Sequence, residues 1–473
     1  MKKLISILLA LCLVVGLAAC ASGEGAKETT AEAGPAFQAG YGEVDITPEG
    51  SVNMAGHGDH NTRFSSGYIL PIKARAVALQ DENGEKLLLI VAETSFAYPI
   101  VATEVLKDIE AKLGIPQDHI VISGVHTHDS VACFAATSPD TTKFNEKYIA
   151  GCLKAAEMAL EDCKPVEAYV GGIETENMTF VRRYYTDLGE QAGDGIYNVK
   201  GTIVGHETEA DNELQLLKFV REGGKDIVIA NFQGHPQLDG KLSQLSPDIP
   251  GFFCAEIEQK LDVHCMYWNG AAGNLKHESR IKEENRASSC KDWAKIMGKY
   301  VEDAYNDLPK VETGDIKVAS TTYVGASNKS ENHLLSQAQE VMNKFNNGTS
   351  IDDCNKLAWE LGLNSFYHAR NIVSHAKLSD TYEMTITAFS FGDVAGIVVP
   401  YEMFDTNGMQ IKEQSPFVKT FIAGYSYPSY EGYIPAIEVW ENGGYEVESS
   451  KFAPGAAEEL VTEYLGLLNG MKK

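Results

Sequence analysis

Positive charge is scarce in this sequence. Its 473 residues include 40 Lys and Arg against 66 Asp and Glu, which gives a formal net charge of −26. General binding to a phosphate backbone needs a basic surface, so the composition argues against nucleic acid as a partner. With 44% hydrophobic and 22% charged residues the chain otherwise has the composition of a folded protein, which excludes disorder or a fibrous repeat as a description of the whole.

Cysteine pairs with a metal-binding spacing are also missing. Of the nine cysteines, Cys12 and Cys20 lie close to the N-terminus, and the other seven form no Cys-x-x-Cys pair. Seven is an odd number, so at least one of these thiols stays unpaired, and neither a disulfide framework nor a zinc knuckle is predicted. Most of them are expected to be small buried side chains.

Long apolar runs are absent beyond the N-terminus, so no later segment is predicted to span a membrane. The N-terminus joins a basic start at residues 1–3 to an apolar stretch over residues 4–17, which closes with Leu-Ala-Ala-Cys. The stretch is short for a membrane span and has the flanks of an export signal. Its last residues resemble the lipobox of bacterial lipoproteins, which implies cleavage before Cys20. The alternative is a plain signal peptide with an incidental cysteine.

The N-terminal segments predict where the protein resides. We expect residues 1–19 to be a lipoprotein signal peptide and Cys20 to carry the lipid. Residues 20–36 are rich in Ala, Gly, Glu, Ser and Thr, a composition typical of a flexible tether. The mature protein is then expected at the extracytoplasmic face of a cell membrane, held there by its lipid anchor.

From residue 37 the chain alternates strand-like and helix-like segments without a convincing linker. Two strand-like runs flank a turn at residues 81–85, as in a β-hairpin, and helical spacing covers residues 99–113 and 351–375. A further predicted helix at residues 331–345 and the one at 351–375 lie between two strand-like segments, as a helical insertion at about residues 330–378. We predict an α/β fold of mixed β-sheets flanked by helices, in one large domain over residues 37–473.

Two histidines follow a strand that is predicted to end near residue 125. His126 and His128 are two residues apart, and in an extended chain such residues face the same side, so both imidazoles can meet at one point. The ends of strands are where α/β folds build their sites. The pair is therefore a candidate for metal binding or catalysis, with a structural role as the alternative.

Three further strand ends carry candidate ligands. His235 stands between Gly234 and Pro236, Glu402 follows an apolar run, and residues 424–435 are rich in tyrosine. Taken singly, the first is typical of a loop histidine, the second of a helix N-terminus and the third of an aromatic surface loop. Two histidines and a carboxylate are nevertheless a common zinc set, which keeps one position open for water.

A series of short motifs runs in order along the chain. They lie at residues 40–48, 125–128, 180–183, 234–236, 245–251, 269–275, 392–402, 432–435 and 444–446. Together they resemble the motifs of the neutral/alkaline ceramidase family, from its opening segment to its metal site. The matches cover nearly the whole mature chain, and so many ordered motifs are hard to obtain by chance.

The resemblance implies a zinc-dependent hydrolase that cleaves an amide bond with zinc-activated water. It implies that four side chains hold the zinc ion: His126, His235, Glu402 and Tyr433. It places three catalytic side chains around the substrate: His128, Arg182 and Tyr445. The adjacent Arg183 could take the role of Arg182, whereas the spacing of twelve residues from Tyr433 to Tyr445 matches the family's tyrosine pair.

Departures from the family pattern lie where the substrate would bind. Asp129 follows the His-Thr-His motif in place of a small residue, and Tyr401 replaces a glycine before Glu402. Asn274 and Lys276 are predicted to contact the substrate, and Lys276 stands where ceramidases carry an active-site serine. Lys276 could attract an anionic group on another substrate or simply be solvated. The sequence ends at Lys473, so we expect no C-terminal immunoglobulin-like domain.

Three functions remain open at this stage. The first is an extracytoplasmic zinc hydrolase that cleaves the amide of a ceramide-like lipid or another N-acyl compound. The second keeps the zinc but acts as an esterase or amidase on a small molecule that is not a sphingolipid. The third is a non-catalytic lipoprotein that binds a ligand on the same fold.

Overall fold

The computed structural model describes residues 36–472 except residues 136, 195, 197–198 and 429–430. The predicted signal peptide, Cys20 and the tether up to residue 35 lie outside the described residues. Within the described ranges, no helix combines the length and the hydropathy of a bilayer-spanning segment. The seven cysteines that follow Cys20 are all free thiols, and six of them are buried.

Strands and helices alternate along the chain. The strands are β1 (Gln38–Asp45), β2 (Lys73–Gln80), β3 (Lys86–Ala92), β4 (Ile120–Gly124), β5 (Lys164–Glu174), β6 (Phe180–Val181), β7 (Arg183–Thr186), β8 (Gln191–Gly193), β9 (Ile203–His206), β10 (Glu213–Arg221), β11 (Ile227–Phe232), β12 (His264–Asn269), β13 (Leu275–Lys276), β14 (Lys310–Val311), β15 (Ile316–Ala326), β16 (Thr381–Phe391), β17 (Val394–Val398), β18 (Glu402–Met403), β19 (Lys419–Ala423) and β20 (Tyr433–Ile434). The helices are α1 (Pro99–Leu113), α2 (Pro139–Glu161), α3 (Asp248–Leu261), α4 (Cys290–Ala304), α5 (Leu335–Asn346), α6 (Ile351–Glu360), α7 (Phe366–His375), α8 (Asp405–Gln414), α9 (Tyr445–Ser449) and α10 (Ala456–Lys472).

Two mixed sheets form the framework. In the described residues the large sheet has nine strands, in the order β12-β11-β10-β5-β1-β2-β3-β4, with β14 also paired to β5. The second sheet has the order β15-β16-β17-β19. Each contains antiparallel pairs, such as β1 with β2 and β15 with β16, and parallel pairs, such as β11 with β12 and β17 with β19. The predicted mixed α/β class is therefore confirmed.

The hydrophobic cores show how the layers pack. Val77 and Leu79 of β2 point into a core shared by both sheets, whereas Ala76 and Ala78 point to a core shared with α1 and α2. Because successive side chains of a strand face opposite sides, a strand buried on both faces is apolar throughout. Helices α3 and α4 cover the β10–β12 part of the large sheet, and α8 and α10 cover the second sheet. The result is two sheets enclosed between outer helices.

The helical insertion extends from the second sheet. Helices α5, α6 and α7 lie between β15 and β16, which pair with each other along eleven residues, and the three helices share a small core of their own. The single helix predicted over residues 351–375 is wrong, because the chain breaks between α6 and α7. Gly362 has a left-handed backbone (φ +81°), and the Ser365 side chain accepts a hydrogen bond from the backbone of His368 to begin α7.

Candidate metal centre

Two of the predicted ligands follow strands of the large sheet. His126 comes two residues after β4, and His235 comes three residues after β11. His126 has a left-handed backbone (φ 68°), and its N–H donates to the carbonyl of Thr94 at 3.2 Å. Such a conformation is uncommon for a residue other than glycine and concentrates at functional sites. It turns the chain sharply at the point where the imidazole enters the site.

The other two predicted ligands face each other across a short parallel strand pair. Glu402 of β18 is directly in register with Tyr433 of β20, and the Glu402 N–H donates to the Gly432 carbonyl at 2.8 Å. Both side chains are buried. The apolar strand β17 and the buried Tyr401, which packs in the core under α10, fix the approach to Glu402. The Tyr401 departure from the family pattern is thus a packing feature.

The donor atoms of these side chains converge on one point. Glu402 Oε2 lies 3.4 Å from His126 Nε2 and 3.2 Å from His235 Nε2. The Tyr433 hydroxyl lies 3.3 Å from His235 Nε2. His128 approaches as well, with its Nε2 3.3 Å from His126 Nε2, and the three histidines offer nitrogens within 4.8 Å of one another. Nitrogen and carboxylate oxygen are donors that zinc prefers.

Protonation and orientation also suit a metal. Burial, aided by the charges of Arg182 and His126, lowers the pKa of His235 to about 3, so its imidazole is neutral. Burial would raise the pKa of the Glu402 carboxyl, but the charges and hydrogen bonds of the two histidines lower it well below its usual value. His235 Nδ1 lies 2.8 Å from the Ala272 carbonyl, which aims Nε2 inward. Neutral imidazoles and an ionised carboxylate are the metal-binding forms, so the residues fit zinc.

A cavity of about 520 Å³ opens onto the converging donors. Its lining is Ala55, Gly56, Gly58, His60, Ser95, Phe96, Tyr98, Pro99, His126, His128, Phe134, Glu402, Tyr433 and Tyr445. The apolar side chains lie beside His126, because the Phe96 ring is 4.8 Å from its imidazole and the Tyr98 ring is 5.3 Å from Phe134. A cavity of this size with few polar groups is typical of a small-molecule or lipid site.

The structure separates the roles of the two adjacent arginines. Arg182 lies against the tyrosine pair, with its guanidinium carbon 5.4 Å from the Tyr433 ring centre and 6.0 Å from that of Tyr445. Arg183 points away and binds Glu207 and the Gly443 carbonyl. Of the two, Arg182 is therefore the residue at the candidate site. It does not line the cavity, because it lies behind the tyrosines.

One buried carboxylate holds both arginines. Glu446 Oε1 accepts from Arg182 Nε at 2.7 Å, and its Oε2 accepts from Arg183 Nη1 at 2.9 Å. Arg182 also donates to the Gly273 carbonyl at 3.0 Å. Tyr445, one residue before this carboxylate, lines the cavity with its ring centre 5.3 Å from that of Tyr433. Burial and the nearby Glu402 raise the pKa of Tyr445, which keeps its hydroxyl protonated.

The two predicted substrate contacts have different outcomes. Asn274 does not face the cavity: it is buried, its amide nitrogen donates to Asp405 Oδ1 at 2.7 Å, and its amide oxygen accepts from the Asp405 N–H at 3.0 Å. Both polar atoms are occupied, so Asn274 is a brace between two loops. Lys276 is partly exposed and pairs with Asp194 at 2.8 Å. It is not among the residues that line the cavity.

The Asp129 departure also has a structural reason. Its carboxylate forms a buried ion pair with Arg63, whose guanidinium also donates to the carbonyl of His128 at 3.1 Å. The same carboxylate accepts from the Leu242 N–H at 3.1 Å. Asp129 therefore joins the loop that carries His128 to two neighbouring loops, and it does not enter the cavity.

Sequence reasoning missed several residues of the site. Tyr425 stacks on His126, with ring centres 3.9 Å apart and planes at 13°. His57 sits edge-on to His128, with ring centres 5.5 Å apart. Tyr425 belongs to the tyrosine-rich segment, which was a signal for it. Nothing in the pattern around His57 distinguishes it from a loop histidine.

Comparisons with known proteins relate this chain to ceramidases. Residues 37–263 match the family model for the N-terminal domain of neutral/alkaline non-lysosomal ceramidases. The match covers slightly less than half of the chain and shows a resemblance to that domain. A neutral ceramidase of Oryza sativa subsp. japonica is 32% identical over 95 residues, which are 20% of this chain and 12% of the relative. The neutral ceramidase of Drosophila melanogaster is 29% identical over 101 residues, 21% of this chain and 14% of the relative. The family resemblance is confirmed.

Solved structures extend the comparison to most of the chain. The crystal structure of neutral ceramidase from Pseudomonas aeruginosa matches 92% of this chain and 74% of its own, with a TM-score of 0.68 and 18% identity. A ceramidase complexed with C2 matches 92% of this chain and 75% of its own, with the same TM-score and 16% identity. At such identities the likeness establishes the ceramidase fold.

Proposed function

We propose that this chain is a zinc-dependent hydrolase that cleaves the amide bond of ceramide or of another N-acyl compound. One observation carries the proposal: two imidazoles, an ionised carboxylate and a phenol converge beside a cavity that has an apolar wall. The family match of residues 37–263 and the fold of the whole described chain support it.

His126, His235, Glu402 and Tyr433 would hold the metal. Bound zinc would polarise the amide carbonyl and lower the pKa of water at this centre from about 15.7 to roughly 7. The convergent donors are rigid because they follow buried strands, and Tyr425 and the Ala272 carbonyl fix the two imidazoles. The apolar residues beside His126 would bind the acyl chain and exclude water around it.

The remaining polar residues would stabilise the negative charge that develops on the carbonyl oxygen and transfer a proton to the leaving amine. Tyr445 lines the cavity with a protonated hydroxyl, so it can donate a hydrogen bond to the carbonyl oxygen as negative charge develops there. His128 lines the same cavity, and burial lowers its pKa well below its usual value, so its neutral imidazole can accept a proton and pass it to the leaving amine. Arg182 acts as a positioning residue, because it packs on both tyrosines without reaching the cavity.

We also propose that the chain is exported and held at the outer face of a cell membrane by a lipid on Cys20. The lipobox-like residues 17–20 and the polar segment after them support this. Such an anchor would keep the cavity close to lipid substrates. Labelling of cells with a radioactive fatty acid should mark the wild-type protein and leave a Cys20→Ala variant unmarked, and equal labelling of the two would contradict the proposal.

Release of fatty acid from N-acyl substrates tests the catalytic proposal. We expect the zinc-loaded protein to hydrolyse ceramide or other N-acyl amides in detergent micelles, and Glu402→Gln to abolish the reaction. Glu104→Gln is the matched control, because Glu104 is exposed and pairs with Lys107 at the surface of α1. An absence of hydrolysis for the whole panel with zinc bound would contradict an amidase function.

A further inference from the structure

A cluster of positive charge lies directly behind the tyrosine pair. Three cations surround Asp194: Lys276 at 2.8 Å, Arg280 at 3.1 Å and Arg182 at 4.0 Å. The backbone carbonyl of the same Asp194 accepts from the N–H of Tyr445 at 3.3 Å, so the cluster is joined to the cavity wall. Side-chain exposure is 28% for Lys276 and 44% for Arg280, so both cations reach solvent.

The segment before Lys276 is fixed to the metal centre at successive positions. The Ala272 carbonyl lies 2.8 Å from His235 Nδ1, and the Gly273 N–H donates to the Met403 carbonyl at 2.7 Å. Only glycine fits at position 273, because a Cβ there would lie 2.6 Å from the carbonyl oxygen of Glu402. Lys276 then continues into the β13–β6 pair. Its position relative to the candidate ligands is therefore set by the backbone.

The residue after Lys276 is fixed as well. His277 is buried, its Nδ1 lies 2.9 Å from the Met178 carbonyl, and its ring fills the space beside Gly234, where a Cβ would lie 2.3 Å from Nε2. His277 thus packs directly behind the loop that carries His235. Lys276 is held between two anchored neighbours, and only its side chain is free to reach solvent.

The apolar residues and the cations lie beside different ligands of the metal centre. Phe96 contacts His126, and the apolar lining continues from there to Phe134. The ring of Tyr433 stacks with His235, and the Arg182 guanidinium lies over the same Tyr433 ring. An acyl chain in the apolar part would therefore direct the amine portion of a substrate past the tyrosines, toward Lys276 and Arg280.

Charge in this cluster exceeds what Asp194 can neutralise. Burial would raise the pKa of Asp194, but the three cations lower it to about 2. Arg182 has a second partner in Glu446, whereas Lys276 and Arg280 have no other acidic partner among the described residues. In a chain with a net charge of −26, an excess of positive charge beside a site is a strong local feature for recognising an anion.

We propose that Lys276 and Arg280 form an anion-recognising edge of the site, and that the substrate is an N-acyl compound whose amine portion carries a phosphate or a carboxylate. The proposal rests on the amide hydrolysis proposed above. It names the substrate class of the same site. It also assigns a role to Lys276, for which the sequence alone left substrate binding and simple solvation as alternatives.

Matched substrate pairs test it with the zinc-loaded full chain. One pair is N-dodecanoyl-phosphoethanolamine and N-dodecanoylethanolamine, and the other is N-dodecanoyl-β-alanine and N-dodecanoyl-3-aminopropanol. We expect the wild type to prefer an anionic member, and the pair with the larger preference identifies the anion. A partly exposed ion pair predicts that Lys276→Gln raises KM for that member about fivefold with kcat unchanged, and that Lys276→Glu reverses the preference.

Lys329→Gln is the control, because Lys329 is 29% exposed, pairs with Asp380 at 2.7 Å and lies at the start of the helical insertion. It should leave both KM values unchanged. Equal rates for charged and neutral members, or an equal effect of Lys276→Gln on both, would overturn the anion edge while the amidase function stands. An absence of hydrolysis for all four compounds and for ceramide would overturn the amidase function and this inference with it.

Discussion

The metal centre and the wall behind it are built in different ways. Each donor of the centre follows or lies on a strand, and backbone hydrogen bonds set its direction before any ligand binds. The wall around Arg182 and Lys276 consists instead of two-residue strands and loops, which side-chain ion pairs join in addition to a few backbone hydrogen bonds. Under the proposed function, the sheets would therefore fix the chemistry, whereas the side-chain contacts of the wall would set the selectivity.

Among the predictions about the metal centre, the largest expected effect is the stabilisation of the fold by bound zinc. At zinc concentrations about 1,000 times the dissociation constant, the free energy of unfolding of the wild type should rise by about 4 kcal/mol. His235→Ala should abolish this rise, because the variant lacks a central donor. His119→Gln, at a surface histidine beside Asp118, should retain it. Chemical unfolding with and without zinc measures both, and an equal rise in all three proteins would place the zinc elsewhere.

Glu446→Gln tests how much the ion pairs in the wall around Arg182 and Lys276 stabilise the fold. The substitution leaves the buried guanidinium groups of Arg182 and Arg183 without their shared carboxylate. Breaking a buried ion pair typically costs 3–5 kcal/mol, so we expect a loss of about 4 kcal/mol in the free energy of unfolding, measured in urea. Glu157→Gln, which removes a surface pair with Lys154, should cost less than about 1 kcal/mol. Similar losses for both variants would show that the wall needs no such brace.

Tyr445→Phe separates catalysis from metal binding. Removal of one hydrogen-bond donor to a developing oxyanion lowers kcat by about 100-fold or more, whereas the zinc content should stay unchanged. Steady-state kinetics and elemental analysis of the same preparation measure the two effects. Tyr300→Phe, on α4, removes a hydroxyl that accepts a hydrogen bond from Arg286, and it should leave kcat unchanged. A normal kcat in Tyr445→Phe would remove this hydroxyl from the mechanism.

The brace between Asn274 and Asp405 should make stability depend on pH. Burial, partly offset by the hydrogen bond from Asn274, raises the pKa of Asp405 to about 6. The unfolded chain ionises near 3.9, so the folded state holds a proton that the unfolded state has lost between these values, and stability falls as the pH rises through this window. The expected fall from pH 4 to pH 7 is about 2 kcal/mol, and Asp405→Asn should lack it.

A matched variant controls for other titrating groups. Asp108→Asn changes an exposed carboxylate that pairs with Lys112 on α1, and it should keep the pH dependence of the wild type. Urea unfolding at both pH values measures each protein. A pH dependence in Asp405→Asn equal to that of the wild type would show that Asp405 titrates normally in the fold.

The predictable parts of the fold are those with strong local patterns. The first helix, α1, begins and ends at the predicted residues, because Pro99 opens it and Gly114 closes it in a left-handed conformation. The hairpin of β2 and β3 follows from its turn at residues 81–85. The break between α6 and α7 was missed, since the apolar spacing continues across Gly362 and only the cap at Ser365 reveals the new helix.

The candidate site also has features that local sequence patterns indicate and features that they do not. Apolar strands that end at His126, His235 and Glu402 are visible in the sequence, whereas the convergence of these side chains was implied only by the family resemblance. Asn274 was assigned to the substrate because its neighbours match the family, yet its partner Asp405 is 131 residues away. No local pattern reports such a pairing, and the same holds for the contact between Lys276 and Asp194.

Metal content of the purified protein tests the central claim most directly. Elemental analysis of the wild type should find about one zinc ion per chain, since the described residues contain one such set of converging donors, and a His126→Ala, His235→Ala double variant should contain none. If neither protein holds a transition metal, even after reconstitution with zinc, the account of this chain as a zinc-dependent hydrolase is contradicted.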